Sequence, residues 1–169
     1  MKPNILFLLV DSLRQDKCYG KNKTSITPNL DFIINQGTFF SQTISPSSIT
    51  IPSLSSIFSG LYSYECTTLD HELFNMDPRI HTFIDDLNNS GYSTGAIIPE
   101  SINHTNLIQS FSNVELFDSF GTLYDGVGEQ IISKINNFKN SPWFLYVHLE
   151  DLHGNAIFHL QDGPKEFEN

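Results

Sequence analysis

The chain has 169 residues, of which 39% are hydrophobic and 17% charged. This size predicts a single domain spanning residues 1–169, and the composition excludes a largely disordered protein. Since the formal net charge is -10 and no basic patch is evident, nucleic acid is not an expected partner.

The cysteines and the N-terminal sequence bear on the cellular compartment in which the protein is expected. Cys18 and Cys66 form no CxxC motif and are too few for a disulfide framework, so a reducing compartment is the simpler expectation. The N-terminal apolar run, Ile5–Val10, is too short for a signal sequence or a membrane span. These features predict a soluble cytoplasmic chain.

The first predicted elements are a strand, a helix and a short strand. The run "NILFLLVD" is continuously apolar and ends in a carboxylate, which is typical of a parallel strand covered on both faces. Thr27 as the cap, Pro28 in the first turn and Gly37 as the stop predict a helix. The segment "GTFFSQTI" predicts a short strand after this helix.

Hydroxyl residues crowd the next segment, "SPSSITIPSLSSIFSG". Pro52 at a first helical position and Gly60 at a C-terminal cap predict a helix between them. Thr50 would then lie just outside the positive end of the helix dipole.

The remaining elements alternate between helix and strand. A capping box at Thr82 begins a helix, "GYSTGAII" is a strand, and Tyr124–Phe138 has the apolar spacing of a helix. Trp143–Leu149 predicts another buried strand, whereas Pro99–Thr122 gives mixed signals and is expected to be loop with short elements. This order predicts an α/β fold with a mostly parallel sheet flanked by helices.

Polar residues follow two of the predicted strands, where open parallel sheets bind their ligands. Asp11 ends the first strand, and Asp151 and His153 follow the last. The Asp11 carboxylate suits calcium, magnesium, manganese or zinc; alternatively, it caps the next turn. His153 suits contact with a substrate oxygen or protonation of a leaving group, while His148 is expected to be a core or edge histidine.

Thr50 has two interpretations from the residues alone. A hydroxyl becomes a nucleophile when a base or a bound cation removes its proton, and a helix start behind it would favour an anionic ester. Thr50 beside Asp11 and a cation would therefore suit attack on phosphorus or sulfur. Alternatively, Thr50 is one more hydroxyl in a turn rich in Ser and Thr.

Five segments resemble, in order, the opening of the sulfatases and their relatives in the alkaline phosphatase superfamily. They are "KPNILFLLVDSLRQDKCYG", "TPNLDFIINQGTFFSQTIS", "ITIPSLSSIFSGLYS", "GYSTGAI" and "PWFLYVHLEDLHG". The resemblance implies the superfamily's α/β fold, truncated at the C-terminus. It also implies a hydrolase or transferase that uses a divalent metal cation and acts on small-molecule or glycan sulfate or phosphate esters.

The nucleophile motif of that family, CxPSR or SxPSR, corresponds to "TIPSL" in this chain. Thr50 stands at the nucleophile position, where the resemblance also makes it a metal ligand, and Leu54 replaces the arginine. Threonine cannot be converted to formylglycine. The resemblance thus implies a direct alkoxide nucleophile and favours phosphoryl or phosphonate chemistry over sulfuryl chemistry.

Other family positions are kept or changed. Asp11 matches the first of the paired metal aspartates, Ser12 occupies the second, and His153 matches the histidine that contacts substrate. The segment "IIPES" stands where the family has a lysine and a histidine.

The resemblance does not extend to the family's second pair of metal ligands, in a "DHG"-like segment, or to its C-terminal subdomain. An alternative is therefore a catalytically incomplete fragment that acts as a binding or interaction domain, through self-association or association with a complementary fragment. A nucleotide-binding α/β domain has little support because the chain lacks a glycine-rich phosphate loop.

Overall fold

The computed structural model describes residues 2–70, 73–119, 121–138 and 142–153. The strands are β1 (Ile5–Val10), β2 (Thr67–Asp70), β3 (Leu73–Met76), β4 (Ser93–Pro99), β5 (Asn113–Phe117) and β6 (Trp143–Leu149). The α-helices are α1 (Gln15–Cys18), α2 (Pro28–Gln36), α3 (Thr50–Ser59), α4 (Ser63–Cys66), α5 (Phe83–Asn89) and α6 (Val127–Asn137). Short 3-10 helices cover Glu100–Ile102 and Leu123–Asp125.

Four strands form one sheet in the order β1-β6-β4-β5, with every neighbouring pair parallel. The other two strands, β2 and β3, form a separate antiparallel pair. The predicted α/β fold, with a parallel sheet flanked by helices, is confirmed. The central strands β4 and β6 are buried over almost their whole length, which explains their continuous apolar sequences.

The core lies on both faces of the sheet. On one face, α3 and α5 contribute Leu54, Phe58 and Ile84 to a cluster with Phe144 and Tyr146 of β6. On the other face, α6 covers a second cluster, formed by Ile97, Phe117, Val127, Leu145, Val147 and Leu149. Successive residues of β6 therefore enter opposite clusters, as the alternation of side chains along a strand requires.

Helix α3 begins two residues earlier than predicted. Its first residue is Thr50, and Pro52 is the third, since proline is tolerated in a first turn where its missing N–H is not needed. The predicted stop is confirmed: Gly60 adopts the left-handed conformation, with φ of 73°, and its N–H donates to Ser56 O at 2.8 Å.

Two predictions about strands were wrong. The segment "GTFFSQTI" forms no strand, and its Phe40 and Ile44 are exposed, so they lack the one-sided burial that stabilises a strand. Strand β1 is an edge strand rather than a covered one: Leu6 and Leu8 are 45% and 47% exposed. Within the described residues, no helix is long and apolar enough to span a membrane.

Candidate active site

The register between β1 and β6 positions Asp11. The two strands are parallel, Val10 lies opposite Leu149, and the Asp11 N–H extends the pairing by donating to Leu149 O at 2.8 Å. Asp11 therefore lies at the carboxyl edge of the sheet.

The N-terminus of α3 reaches the same edge and brings Thr50 against Asp11. The Thr50 hydroxyl Oγ1 donates to Asp11 Oδ2 at 3.1 Å, although the two residues are 39 positions apart. Both side chains are partly buried. The structure thus brings together the two residues on which the predicted chemistry depends.

The Asp11 carboxylate is held in its ionised form. Its side chain is only 19% exposed, and this burial by itself raises the pKa. The ring of His148 and the Thr50 hydroxyl outweigh burial and lower the Asp11 pKa to about 2. A carboxylate with so low a pKa is a weak base, so it suits the binding of a cation or the orientation of a hydroxyl better than proton abstraction.

Ser12, at the position of the family's second aspartate, adopts a left-handed backbone conformation with φ of 62°. Its hydroxyl Oγ lies 3.4 Å from Asp11 Oδ1, to which it donates. A left-handed conformation is costly for a residue with a side chain and tends to persist where a site requires it.

Two open cavities meet at these residues and share Asp11, Ile49 and Thr50 in their walls. The first has a volume of about 410 Å³. Its lining includes Ser45, Ser47 and Ser48, which precede α3, and Ser53 within α3. The second has a volume of about 370 Å³, and its lining includes His104, Glu150 and His153. Each is large enough for a small ester group.

His153 lines the second cavity together with Asp11 and Thr50. Its backbone N–H donates to Glu150 O at 2.8 Å, which turns the chain back at the end of β6. Asp151 has a different position: its Oδ1 accepts a hydrogen bond from the Leu123 N–H at 3.0 Å, and it lines neither cavity.

The departures from the family motifs have visible consequences. Leu54, in place of the motif arginine, is 2% exposed and belongs to the core, where a guanidinium would be buried. Ser101, in the "IIPES" segment, donates to Glu150 Oε1 at 3.1 Å. Among the described residues, no lysine or arginine lines either cavity.

The donor set partly fits a divalent cation. Asp11 supplies two carboxylate oxygens and Thr50 one hydroxyl, and oxygens are the ligands preferred by calcium, magnesium and manganese. Over residues 2–70, 73–119, 121–138 and 142–153, however, no three His, Cys, Asp or Glu side chains converge as a metal site would require. Asp11 and Thr50 could hold one side of a cation, and further ligands would complete it.

Sequence reasoning missed one neighbour of the site. His148 was expected to be a core or edge histidine; it is fully buried, yet its Nε2 lies 3.6 Å from Asp11 Oδ2. Tyr146, two residues earlier on the same face of β6, contacts His148 Nδ1 at 2.8 Å. A histidine near the carboxyl end of a buried strand was the available signal, but only the register with β1 places it beside Asp11.

Known proteins resemble this chain in both sequence and fold. The sequence matches the Sulfatase family over residues 3–169. The chain belongs to the sulfatase family. The earlier resemblance is thereby confirmed, and with it the membership of the alkaline phosphatase superfamily.

Curated relatives of this sulfatase-family chain are bacterial sulfatases. An N-acetylglucosamine-6-O-sulfatase of Bacteroides thetaiotaomicron is 27% identical over 91% of the chain and 31% of the relative. An N-acetylgalactosamine-6-O-sulfatase of the same organism is 33% identical over 57% of the chain and 20% of the relative. An arylsulfatase of Clostridium perfringens is 28% identical over 71% of the chain and 25% of the relative. The chain spans about a third or less of the length of these relatives.

Solved structures share the fold. A protein in complex with its substrate D-glucosamine-2-N,6-O-disulfate superimposes with a TM-score of 0.77 at 23% identity, over 92% of this chain and 35% of that protein. The C-terminal periplasmic domain of the phosphoethanolamine transferase EptC from Campylobacter jejuni gives a TM-score of 0.64 at 18% identity. The match covers 91% of this chain and 47% of that domain. The fold is therefore common to sulfatases and to a phosphoethanolamine transferase.

Proposed function

We propose that this chain is the N-terminal part of a metal-dependent, sulfatase-like hydrolase or transferase that acts on sulfate or phosphate esters with Thr50 as nucleophile. The observation that supports it is the contact of 3.1 Å between Thr50 Oγ1 and Asp11 Oδ2, in a wall shared by two open cavities.

Each residue has a distinct part in the proposed mechanism. Asp11 orients the Thr50 hydroxyl towards the substrate. Thr50 Oγ1 gives its proton to water and forms a bond to phosphorus or sulfur as the bond to the leaving oxygen breaks. His153 protonates the leaving oxygen. Water or an acceptor alcohol then cleaves the ester on Thr50 and regenerates its hydroxyl. A cation held by Asp11 and Thr50 would lower the pKa of the hydroxyl and offset charge on the transferring group.

The substrate class is proposed from the nucleophile and the relatives. Threonine cannot form formylglycine, so phosphoryl or phosphonate transfer is favoured over sulfuryl transfer, and the transferase relative has the same fold. The curated relatives are named for 6-O-sulfated amino sugars. The proposed substrates are therefore small-molecule or glycan esters of phosphate or sulfate.

A comparison of Thr50→Val, Thr50→Ser and the unmodified chain tests the mechanism. With manganese or calcium present, turnover of an aryl sulfate and an aryl phosphodiester is measured. We expect the valine variant, which keeps the shape but loses the hydroxyl, to be slower by roughly a thousandfold or more. The serine variant, which keeps the hydroxyl, should retain turnover.

A second readout follows the covalent ester directly. Mass spectrometry of the peptide containing Thr50, after acid quenching during turnover, should show a phosphate or sulfate adduct on Thr50 in the unmodified chain. Equal turnover by the valine variant and the unmodified chain would remove Thr50 from the mechanism.

A second candidate function is a catalytically incomplete sulfatase-like fragment that binds an anion or a partner chain. The observation in its favour is the partial donor set, since no group of three metal-ligating side chains converges in the part of the chain that the structure describes. Calorimetric titration with manganese, calcium and zinc distinguishes the two functions. Stoichiometric binding that Asp11→Asn abolishes would contradict the incomplete fragment.

A further inference from the structure

Behind Asp11 lies a buried pair of polar side chains, Tyr146 and His148. Tyr146 is 1% exposed and His148 is 0% exposed, although both come from a strand that is otherwise apolar. The Tyr146 hydroxyl lies 2.8 Å from His148 Nδ1, and His148 Nε2 lies 3.6 Å from Asp11 Oδ2. Tyr146, His148, Asp11 and Thr50 thus form a row of neighbouring polar groups from the core to the cavities.

The direction of the hydrogen bonds among these four residues follows from which groups can donate and which can only accept. The ionised carboxylate of Asp11 only accepts hydrogen bonds. In a neutral histidine one ring nitrogen donates and the other accepts, so a proton on Nε2 can point to Asp11 if Nδ1 accepts from the tyrosine hydroxyl. Burial also raises the pKa of Tyr146 well above its usual value, so its hydroxyl keeps the proton that it donates.

His148 is buried too deeply to contact a substrate. Asp11 lines both cavities, whereas His148 lines neither and is fully buried. Its Nε2 has no hydrogen-bond partner within 3.5 Å among the described residues, and the nearest carboxylate is that of Asp11. A small movement of either side chain brings the two within hydrogen-bond range.

We infer that His148, oriented by Tyr146, is a positioning residue that holds the Asp11 carboxylate from behind. Its Nε2–H fixes the plane of the carboxylate, while Thr50 and Ser12 contact the oxygens from the other sides. The consequence for catalysis rests on the proposed function, but the positioning of Asp11 does not. Partners behind a ligand carboxylate or histidine commonly tune a metal site in this way.

The first test reads the tautomer of His148 in the unmodified chain. Nuclear magnetic resonance of the histidine ring nitrogens at neutral pH should show the proton on Nε2. In Tyr146→Phe, which keeps the ring but removes the hydroxyl, a mixture of tautomers is expected. A proton on Nδ1 in the unmodified chain would overturn the inference, whatever the activity of the protein.

The second test compares His148→Gln with His148→Leu. A glutamine side chain can still present an N–H towards Asp11, whereas leucine cannot. Calorimetric titration with manganese should give an affinity for the glutamine variant within a few-fold of the unmodified chain. The leucine variant should bind roughly 10- to 100-fold more weakly. Equal affinities for the leucine variant and the unmodified chain would contradict the positioning role.

The two tests also separate this inference from the proposed function. If Thr50→Val leaves turnover unchanged while His148 shows the expected tautomer, the chemistry proposed for Thr50 fails and the positioning of Asp11 stands. If Thr50 proves essential while His148 carries its proton on Nδ1, the proposed function stands and the role of His148 fails. Should the leucine variant not fold, the tautomer measurement still decides.

Discussion

At the scale of single residues, Asp11 is expected to contribute both to the stability of the fold and to the candidate chemistry. It is partly buried, ionised and close to groups from two other elements, α3 and β6. An ionised carboxylate at such a place stabilises the fold only while it keeps its charge. Its titration should therefore be visible in the unfolding of the whole chain.

Asp11→Asn is expected to change how stability depends on pH. The folded pKa, about 2, lies below the ordinary value of 3.8, so the stabilisation is complete above about pH 4 and is lost as the pH falls towards 2. The asparagine variant should be less stable by about 2 kcal/mol at pH 6, and this difference should shrink to about 0.4 kcal/mol near pH 2. Urea unfolding at both pH values measures it.

Asp77→Asn is a suitable control for that experiment. The pKa of Asp77 is also lowered to about 2, because Arg79 and the Arg79 backbone N–H donate to it, but Asp77 lies away from the two cavities. It should alter acid stability without altering metal binding. An Asp11→Asn variant with the same stability difference at pH 6 and pH 2 would contradict the assignment of an ionised carboxylate to Asp11.

At the scale of elements, α3 connects the core to the site. Its middle buries Leu54 and Phe58, its first residue is Thr50, and its end is closed by Gly60 in the left-handed conformation. Whatever shifts this helix along its axis also moves the Thr50 hydroxyl away from Asp11.

Gly60→Ala should destabilise the chain by about 1 kcal/mol, because a residue with a Cβ is strained at φ of 73°. An added Cβ meets no atom within 4 Å there, so strain rather than steric clash sets the cost. Gly60→Asn should cost less, since asparagine tolerates this conformation. Thermal unfolding of both variants checks the order, and equal costs would contradict the strain argument.

Elements with local signals could be predicted from the sequence, and those that depend on distant partners could not. The capping box at Thr82 and the apolar run of β6 mark their own boundaries, and both elements were predicted correctly. Strand β5 and the β2–β3 pair are short and partly exposed, so their sequences carry weak periodicity. The edge position of β1 depends on strand order, which no local pattern encodes.

The same distinction applies to the candidate site. Asp11 and Thr50 could be proposed as site residues because each sits at the end of an element with a clear sequence signal and matches a family motif position. Their contact depends on where α3 packs against the sheet, and the place of His148 behind Asp11 follows from the register between β1 and β6. That register joins residues more than 130 positions apart in the sequence, beyond the reach of any pattern in one window.

At the scale of the whole molecule, β1 leaves apolar surface at the edge of the sheet. Leu6 and Leu8, on the face that α6 covers further along, are nearly half exposed. An exposed apolar edge strand favours association, while the net charge of -10 opposes it through repulsion between copies. Association with itself or with a complementary fragment remains a prediction that ionic strength can test.

Sedimentation velocity should show more self-association as the ionic strength rises from about 0.01 M to about 1 M, because salt screens the repulsion. Leu8→Lys should reduce it at every salt concentration. Ser41→Lys, which adds the same charge at an exposed site outside the sheet, should reduce it less. Equal effects of the two lysines would assign association to charge alone rather than to the edge of β1.

The pairing of β1 with β6 also has a consequence for the order of events during synthesis. Strand β1 is synthesised before the other described strands, but its partner in the sheet is the last of them, since β4 pairs with β5 and β6 and not with β1. Asp11 consequently gains its neighbour Leu149 only after β6 has been synthesised. Any cation or ester that recognises this edge therefore meets it only after translation has passed β6.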